Sequence, residues 1–360
     1  MPLPQLTIRA IEATAVIVPL ARPIRTAVGT IPAAPLVVIR LQTEEGPRGQ
    51  AYIFAYTNAA LAALHRMTLD IGAELRGMAV APVSIMAHWD RRFRLLGWQG
   101  LVGMAISGID MALWDALGHA AGQPVAGLLG GAPKPVLAYD SFGIIDPRTD
   151  GAAIEASVRR GFRAIKIKLG DGDLTRDVEA VRTVRKIIGP EARLMIDYNQ
   201  SLSVPEAIHR IRRLAEFDLH WAEEPVKAED LAGHAQVRAA CGVPIQTGEN
   251  WWFADAMAAA IAAGASDHAM PDVMKIGGIT GWMQAAALAA VRNMPVSSHI
   301  FVEASAHALA VTPTAHMIEY LDKAGPILTQ PLTPEEGMVT ARGPGLGIEF
   351  DEAALANFSA

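Results

Sequence analysis

Arg163-Ala164-Ile165-Lys166-Ile167-Lys168, Leu194-Met195-Ile196-Asp197-Tyr198-Asn199 and Leu219-His220-Trp221-Ala222-Glu223-Glu224 are short β-rich runs, separated by longer helical patterns such as 204–215. The rhythm continues through Pro244-Ile245-Gln246-Thr247-Gly248-Glu249, His268-Ala269-Met270-Pro271-Asp272 and Pro295-Val296-Ser297-Ser298-His299. Alternation of this kind predicts a parallel sheet with right-handed crossovers. A polar residue closes each run, and Lys168, Asp197, Glu223, Glu249, Asp272, His299 and Glu319 follow one another at intervals of 20 to 29 residues. One βα unit of a (β/α)8 barrel takes about that length, and such barrels gather their active sites at the C-terminal ends of the strands. A packed interior alone would not require titratable residues there.

Outward from this core, the first 130 residues read differently. Leu6 to Ala13 alternates and Pro35 to Leu41 is β-rich, whereas residues 58–122 carry Ala-Leu-Met helical spacing, so this part reads as an α+β unit. Between its strands, 19–35 is an apolar segment with Pro23, Gly29 and Pro32, read as a loop acting as a lid. The tail from Gly343 to Phe350 reads as a turn and a strand returning to this unit. A chain of 360 residues suggests two domains, or one large barrel with an attachment. Its 31 basic against 37 acidic residues give a net charge of −6 spread along the chain, which argues against nucleic-acid or anionic-membrane partners, since these would want a basic face. The single Cys241 forms no internal disulfide, which fits a reducing cytoplasm. Neither a signal peptide nor a membrane span is read, because uncharged stretches such as Ile276–Val291 fall short of about 18 residues.

The chemistry lies in the run ends. Asp197, Glu223 and Glu249 close three successive runs, and in a barrel they converge from adjacent staves. Three carboxylates without Cys or His suit a hard divalent cation, Mg²⁺ before Zn²⁺. Lys166 and Lys168, two apart on a strand, share a face. If that face is the interior, each lowers the other's pKa toward that of a base; the alternative is a solvated strand face. His299 follows the run ended by Asp272, whose carboxylate can hold Nδ1 and leave Nε2 free as a base. Glu319 in Met317-Ile318-Glu319-Tyr320-Leu321 has an apolar setting in which burial would keep it protonated, unless it is an exposed helix acid. Gly277-Gly278 reads as a tight turn after Lys275, since it matches no phosphate loop.

These residues together resemble the enolase superfamily and, within it, the mandelate racemase group, over essentially the whole chain. Ala105 to Asp115 with Leu128-Leu129-Gly130 is similar to the family's helix signature, and Lys166-Ile167-Lys168 to its Lys-x-Lys motif. Asp197-Tyr198-Asn199, Glu223-Glu224-Pro225 and Gly248-Glu249-Asn250 resemble its metal-ligand strands, and Asp272 with His299 its second-base dyad. Thr26 to Thr30, Phe54 to Thr57, and Ser298-His299 followed by Glu319 resemble the racemase group in particular. The resemblance implies an α/β fold: a modified TIM-like (β/α)7β barrel over 131–325, a capping α+β domain over 1–130, and a C-terminal segment 326–360 completing the cap. It implies one Mg²⁺ on Asp197, Glu223 and Glu249, with Lys168 and His299 as bases on opposite faces. Lys166 is expected at the substrate carboxylate, Asn199 at the α-hydroxyl, Glu319 at a carboxylate oxygen and Ser141 at the rim. Ile24, Val28, Ile31, Phe54, Tyr56, Ile300 and Leu321 are expected around the substrate's side chain, and Phe142 stands where a histidine would be expected.

The expected activity is 1,1-proton transfer on an aryl 2-hydroxy acid, racemising mandelate through an enediolate, in a cytoplasmic homo-oligomer, an octamer by family habit. Two alternatives use the same frame: an acid-sugar dehydratase, and a cycloisomerase with Lys275 as the opposing base. The lid offers only Arg22 and Arg25 to a sugar acid, and Glu249 with the Asp272–His299 pair speaks against the cycloisomerase.

Overall fold

A computed structural model describes residues 5–26 and 29–360. Strands β1 (Ile8–Thr26), β2 (Gly29–Thr43) and β3 (Arg48–Phe54) form an antiparallel sheet in that order. The segment expected as a lid loop at 19–35 is instead the end of a long hairpin. After a register shift between Pro19 and Ile24, the ladder resumes as Ile24↔Ile31, Arg25↔Thr30 and Thr26↔Gly29. Pro19 and Pro23 have no N–H to give to a ladder, so the shift falls across them, and the β-branched Ile24, Thr26, Thr30 and Ile31 restore pairing beyond it.

Helices α1 (Asn58–Ala73), α2 (Pro82–Arg92) and α3 (Leu101–Ala121) cover this sheet, and a short turn, α4 (Val125–Leu128), leads out of it. α1 starts where the Thr57 side chain accepts a hydrogen bond from the Ala59 N–H. By length and composition α3 could cross a membrane, but 89% of its most apolar stretch is buried inside the protein. Its reading as a core helix rests on that burial.

The barrel runs through β4 (Val136–Ile144), α5 (Gly151–Arg159), β5 (Ala164–Lys168), α6 (Leu174–Ile188), β6 (Arg193–Asp197) and α7 (Val204–Leu214). It continues with β7 (Leu219–Glu223), α8 (Leu231–Cys241), β8 (Ile245–Thr247), α9 (Phe253–Ala263), β9 (His268–Ala269), α10 (Gly278–Ala290), α11 (Val302–Ala310) and β10 (Ile318–Tyr320). The parallel order is β10-β4-β5-β6-β7-β8-β9. Two expected strands are shorter than read. β9 has two residues, and Pro295–His299 contributes only isolated bridges, Ala269↔Val296, Asp272↔His299 and Val296↔Ala315. Pro271 and Pro295 interrupt the donor series there. These bridges still link β9 to the approach of β10, so eight staves and seven helices make the expected (β/α)7β arrangement.

Side-chain alternation along the staves divides the interior into layers. Tyr139, Ala164, Met195, Trp221 and Met317 form a fully buried apolar layer. Two residues further along their strands stand Lys166, Asp197, Glu223 and Glu319, all buried as well. After the barrel come β11 (Met338–Val339), which pairs with β4, and α12 (Glu352–Phe358). The expected strand at 343–350 is present only as single bridges, Pro124↔Gly345 and Leu328↔Phe350. Gly343, Pro344, Gly345 and Gly347 shape it into turns, but it does return to the cap. The Leu346 N–H donates to Asp115 of α3 at 2.6 Å, and Arg40 of β2 pairs with Glu352 at 2.7 Å.

Candidate active site

The ladder itself sets the carboxylates side by side. Lys168 is level with Asp197 and Asp197 with Glu223 on neighbouring strands. Glu249 stands two residues past the end of β8, and the link is Gly248, at φ 142. A Cβ there would lie 2.8 Å from the Met270 backbone, so only glycine brings Glu249 in this close. Asp197, Glu223 and Glu249 are buried, and each offers an oxygen within 4.8 Å of the others'.

Their electrostatics fit a cation. Glu223 is pushed up to about 8, first by burial and then by the charges of Asp197, Glu319 and Glu249 acting against Lys166. A carboxylate forced upward by burial and like charges is the condition a divalent ion reverses. The second oxygen of Glu223 is held by Trp221 Nε1 at 3.1 Å and Gln246 Nε2 at 3.3 Å. Asp197 is fixed by the Asn199 N–H at 2.7 Å and Nδ2 at 3.1 Å. All-oxygen, all-anionic donors of this kind suit Mg²⁺.

Lys166 and Lys168 both face this interior, as their spacing predicts. Lys166 Nζ lies 2.5 Å from Glu223 and 2.9 Å from Glu319. Lys168 donates to Asp197. Two electrostatic expectations are corrected. Burial foremost pulls Lys168 down and Lys166 adds to it, but Asp197, Glu249 and Glu223 together outweigh both, and its pKa is raised. Burial pushes Glu319 up, but Lys166 and His299 outweigh it, so Glu319 is held well below the usual carboxylate range.

His299 Nδ1 stands 2.6 Å from Asp272, and its Nε2 lies 3.4 Å from Glu249 and 3.9 Å from Glu319. Burial lowers its pKa, but Glu249, Asp272 and Glu319 together raise it. Beside it, Ile300 is at φ 37 and Phe301 at φ 49, while Tyr56, Asn199, Gln200 and Glu224 also have positive φ around the site. A β-branched residue in that region is strained, and the Ile300 N–H donates to Glu319 at 3.0 Å. That hydrogen bond holds the Glu319 carboxylate beside the residue that follows His299.

Above this floor opens a cavity of about 570 Å³. Of the expected pocket residues, Ile24, Ile31, Phe54, Tyr56, Asn199 and Leu321 line it, as do Lys168, Glu249 and His299. Ser141 and Ile300 are buried without lining it, Lys166 lies beneath it, and Val28 is outside the described residues. Arg22 and Arg25 do not reach it. Arg22 is bound to Asp140 at 2.7 Å and covers the Phe142 ring at 3.7 Å, and Arg25 pairs with Asp150. Several lining residues were not singled out from sequence: Met104, Gln200, Ser201, Asn250, Trp252 and Lys323. Asn250 joins Lys275 Nζ, at 2.7 Å, to both oxygens of Glu224, at 3.0 and 2.9 Å. Its place beside Glu249 in Gly248-Glu249-Asn250 was the available signal.

Fold and site together define a capped-barrel enzyme with one divalent-cation site flanked by a lysine and an Asp-held histidine. Comparison with known proteins agrees. Residues 9–130 match the mandelate racemase / muconate lactonizing enzyme N-terminal domain, and residues 150–354 match the enolase C-terminal domain-like family. The crystal structure of an enolase from Bradyrhizobium complexed with magnesium and mandelic acid is 53% identical, with a TM-score of 0.97 over 99% of both chains. A 3,6-anhydro-alpha-L-galactonate cycloisomerase from Streptomyces coelicolor is 33% identical over 88% of this chain and 89% of its own. The L-talarate/galactarate dehydratase of Salmonella typhimurium is 34% identical over 72% and 66%. The chain belongs to the enolase superfamily, mandelate racemase group, and is a Mg²⁺-dependent enzyme.

Proposed function

We propose that this enzyme is a racemase, moving the α-proton of an aryl 2-hydroxy acid such as mandelate between its two faces. The supporting observation is the pair of candidate bases. Lys168 on β5 and His299 on the stave before β10 bracket the strands that bear the three carboxylates. Asp197, Glu223 and Glu249 would hold Mg²⁺, which when bound supplies Lewis-acid polarisation of the substrate's carboxylate and hydroxyl.

Asp272 fixes the proton of His299 on Nδ1, which leaves Nε2 to accept the α-proton. Lys168 Nζ does so from the other face, and whichever base did not abstract returns a proton to the enediolate. For Lys168 to act as a base, the hold of Asp197 on its proton must weaken, which follows when that carboxylate serves a cation as well. Lys166 Nζ donates toward the substrate carboxylate, where negative charge grows. Glu319 becomes a proton donor only with substrate in place, because a second carboxylate set against it is a like charge that raises its pKa. The apolar wall of Ile24, Ile31, Phe54 and Leu321 suits a phenyl group.

In deuterated water, His299→Asn is expected to abolish racemisation yet retain α-proton exchange for one enantiomer of mandelate only, read by NMR. Equal exchange of both enantiomers overturns the two-base scheme. A second reading is dehydration of an acid sugar, in which the same enediolate expels a β-hydroxyl. It is favoured by the similarity to the L-talarate/galactarate dehydratase and by Gln200, Ser201 and Asn250 in the cavity wall. Incubation with galactarate separates the two, since loss of the β-hydroxyl appears in the same spectra.

A further inference from the structure

Among the described residues, every cation around the cavity but one has an ion-pair or hydrogen-bond partner. Lys166 pairs with Glu223 and Glu319, Lys168 with Asp197, Lys275 with Asn250, Arg22 with Asp140 and Arg25 with Asp150. Lys323 lines the cavity and is only 7% exposed. Among the described residues, it has no hydrogen-bond partner and no carboxylate oxygen within 4.0 Å. Its ammonium lies 4.6 Å from the centre of the Phe54 ring, and that ring packs 4.6 Å from Tyr56. A buried ammonium without an anion is unfavourable, and burial accordingly lowers Lys323 to about 8. Lys323 lies three residues past the end of β10, near enough to Glu319, Glu249 and Asp272 to feel their charge without pairing with them. It faces the cavity beside Phe54 and Leu321, the apolar wall against which the substituent of the proposed substrate would rest.

We infer that Lys323 is a specificity residue for an anionic oxygen on that substituent, so that the preferred acid is an aryl 2-hydroxy acid with a carboxylate on its ring. The walls decide between this and a polyhydroxylated chain. Ile24, Ile31, Phe54, Met104, Trp252 and Leu321 offer a ring apolar contact, and a lone ammonium among them is best satisfied by a full negative charge. The inference rests on the proton-transfer reading for its reaction, but its binding component can be measured apart from turnover.

The test compares kcat/KM for mandelate with that for 3- and 4-carboxymandelate, in the Mg²⁺-loaded wild type, Lys323→Met and Lys323→Arg. At least one ring carboxylate is expected to be favoured in the wild type, the preference to fall about tenfold or more in Lys323→Met, and Lys323→Arg to recover it. A preference that Lys323→Met leaves unmoved overturns the inference. Calorimetry with benzoylformate and its 3- and 4-carboxy derivatives, which lack the α-proton, reads the pairing without chemistry. Tight, Lys323-dependent binding of a carboxylated keto acid by an enzyme that exchanges no α-proton sustains the inference and overturns the racemase reading. Proton exchange with no ring-carboxylate preference, in turnover or in binding, does the reverse.

Discussion

Asp272 and His299 meet 2.6 Å apart because a parallel bridge between their staves sets the two residues level with each other. In the proposed scheme the carboxylate does not move a proton to substrate; it fixes which ring nitrogen carries one. Asp272→Asn keeps the shape but permits the wrong tautomer, so kcat should fall on the order of a thousandfold, while Mg²⁺ affinity by calorimetry stays near that of the wild type. The identities of these residues were legible from their even spacing. Their protonation states were not, because spacing along the chain reveals Lys166 beside Lys168 but not which charge lies nearest across the ladder. Asp197 with Glu249 and Glu223 turned the expected fall of Lys168 into a rise, and Lys166 with His299 and Lys168 turned the expected rise of Glu319 into a fall. Lys323 escaped for a related reason: nothing local distinguishes a lysine three residues beyond a strand from a solvated one.

At the scale of elements, the strand-helix alternation and the long helix were readable because period and length are local properties. The hairpin end was not, since two prolines and a glycine mark a loop unless the partner strand is known to resume pairing past them. Gly277 and Gly278 did what their sequence indicated, turning at φ 103 and 68 from Lys275 into α10. At the start of β7, β9 and β10 a second set of histidines gathers, with the His220, His268 and His316 rings 5.1 to 6.0 Å apart. Burial foremost lowers His220 to about 4 and His316 to about 3, helped by the neighbouring His268 and by Arg193. Both folded values lie below the ordinary value near 6.5, so the unfolded chain binds protons that the folded barrel refuses. The stability this provides is complete above pH about 6.5 and is lost as pH falls toward 4. Urea melts at pH 7 and pH 5 should differ, and the His220→Gln/His316→Gln double variant should reduce that difference by roughly 1–2 kcal/mol, allowing for solvent around these half-buried rings.

For the molecule as a whole, the cap and the barrel are held together by buried polar struts as well as apolar contact. Asp110 of α3 accepts from the Thr280 N–H at 3.0 Å and from its hydroxyl, and Tyr52 of β3 donates to Glu303 at 2.7 Å. These struts hold the apolar roof over a floor that concentrates Asp197, Glu223, Glu249 and Glu319 against Lys166, Lys168 and His299. The floor therefore crowds more carboxylates together than its cations balance, an excess that a divalent cation relieves, and its stability is expected to depend on that cation. At a hundredfold excess over Kd, one bound ion adds about 2.7 kcal/mol to the folded state. Spread over the unfolding entropy of a chain this size, that is a rise in Tm of a few degrees. A thermal melt in Mg²⁺ should lie above one in EDTA by that margin. Glu249→Gln removes one ligand and one like charge together, so it should lose most of the Mg²⁺-dependent rise without lowering the melt in EDTA. If wild type and variant respond equally to Mg²⁺, the ion is stabilising some other part of the molecule and the three-carboxylate site is misassigned.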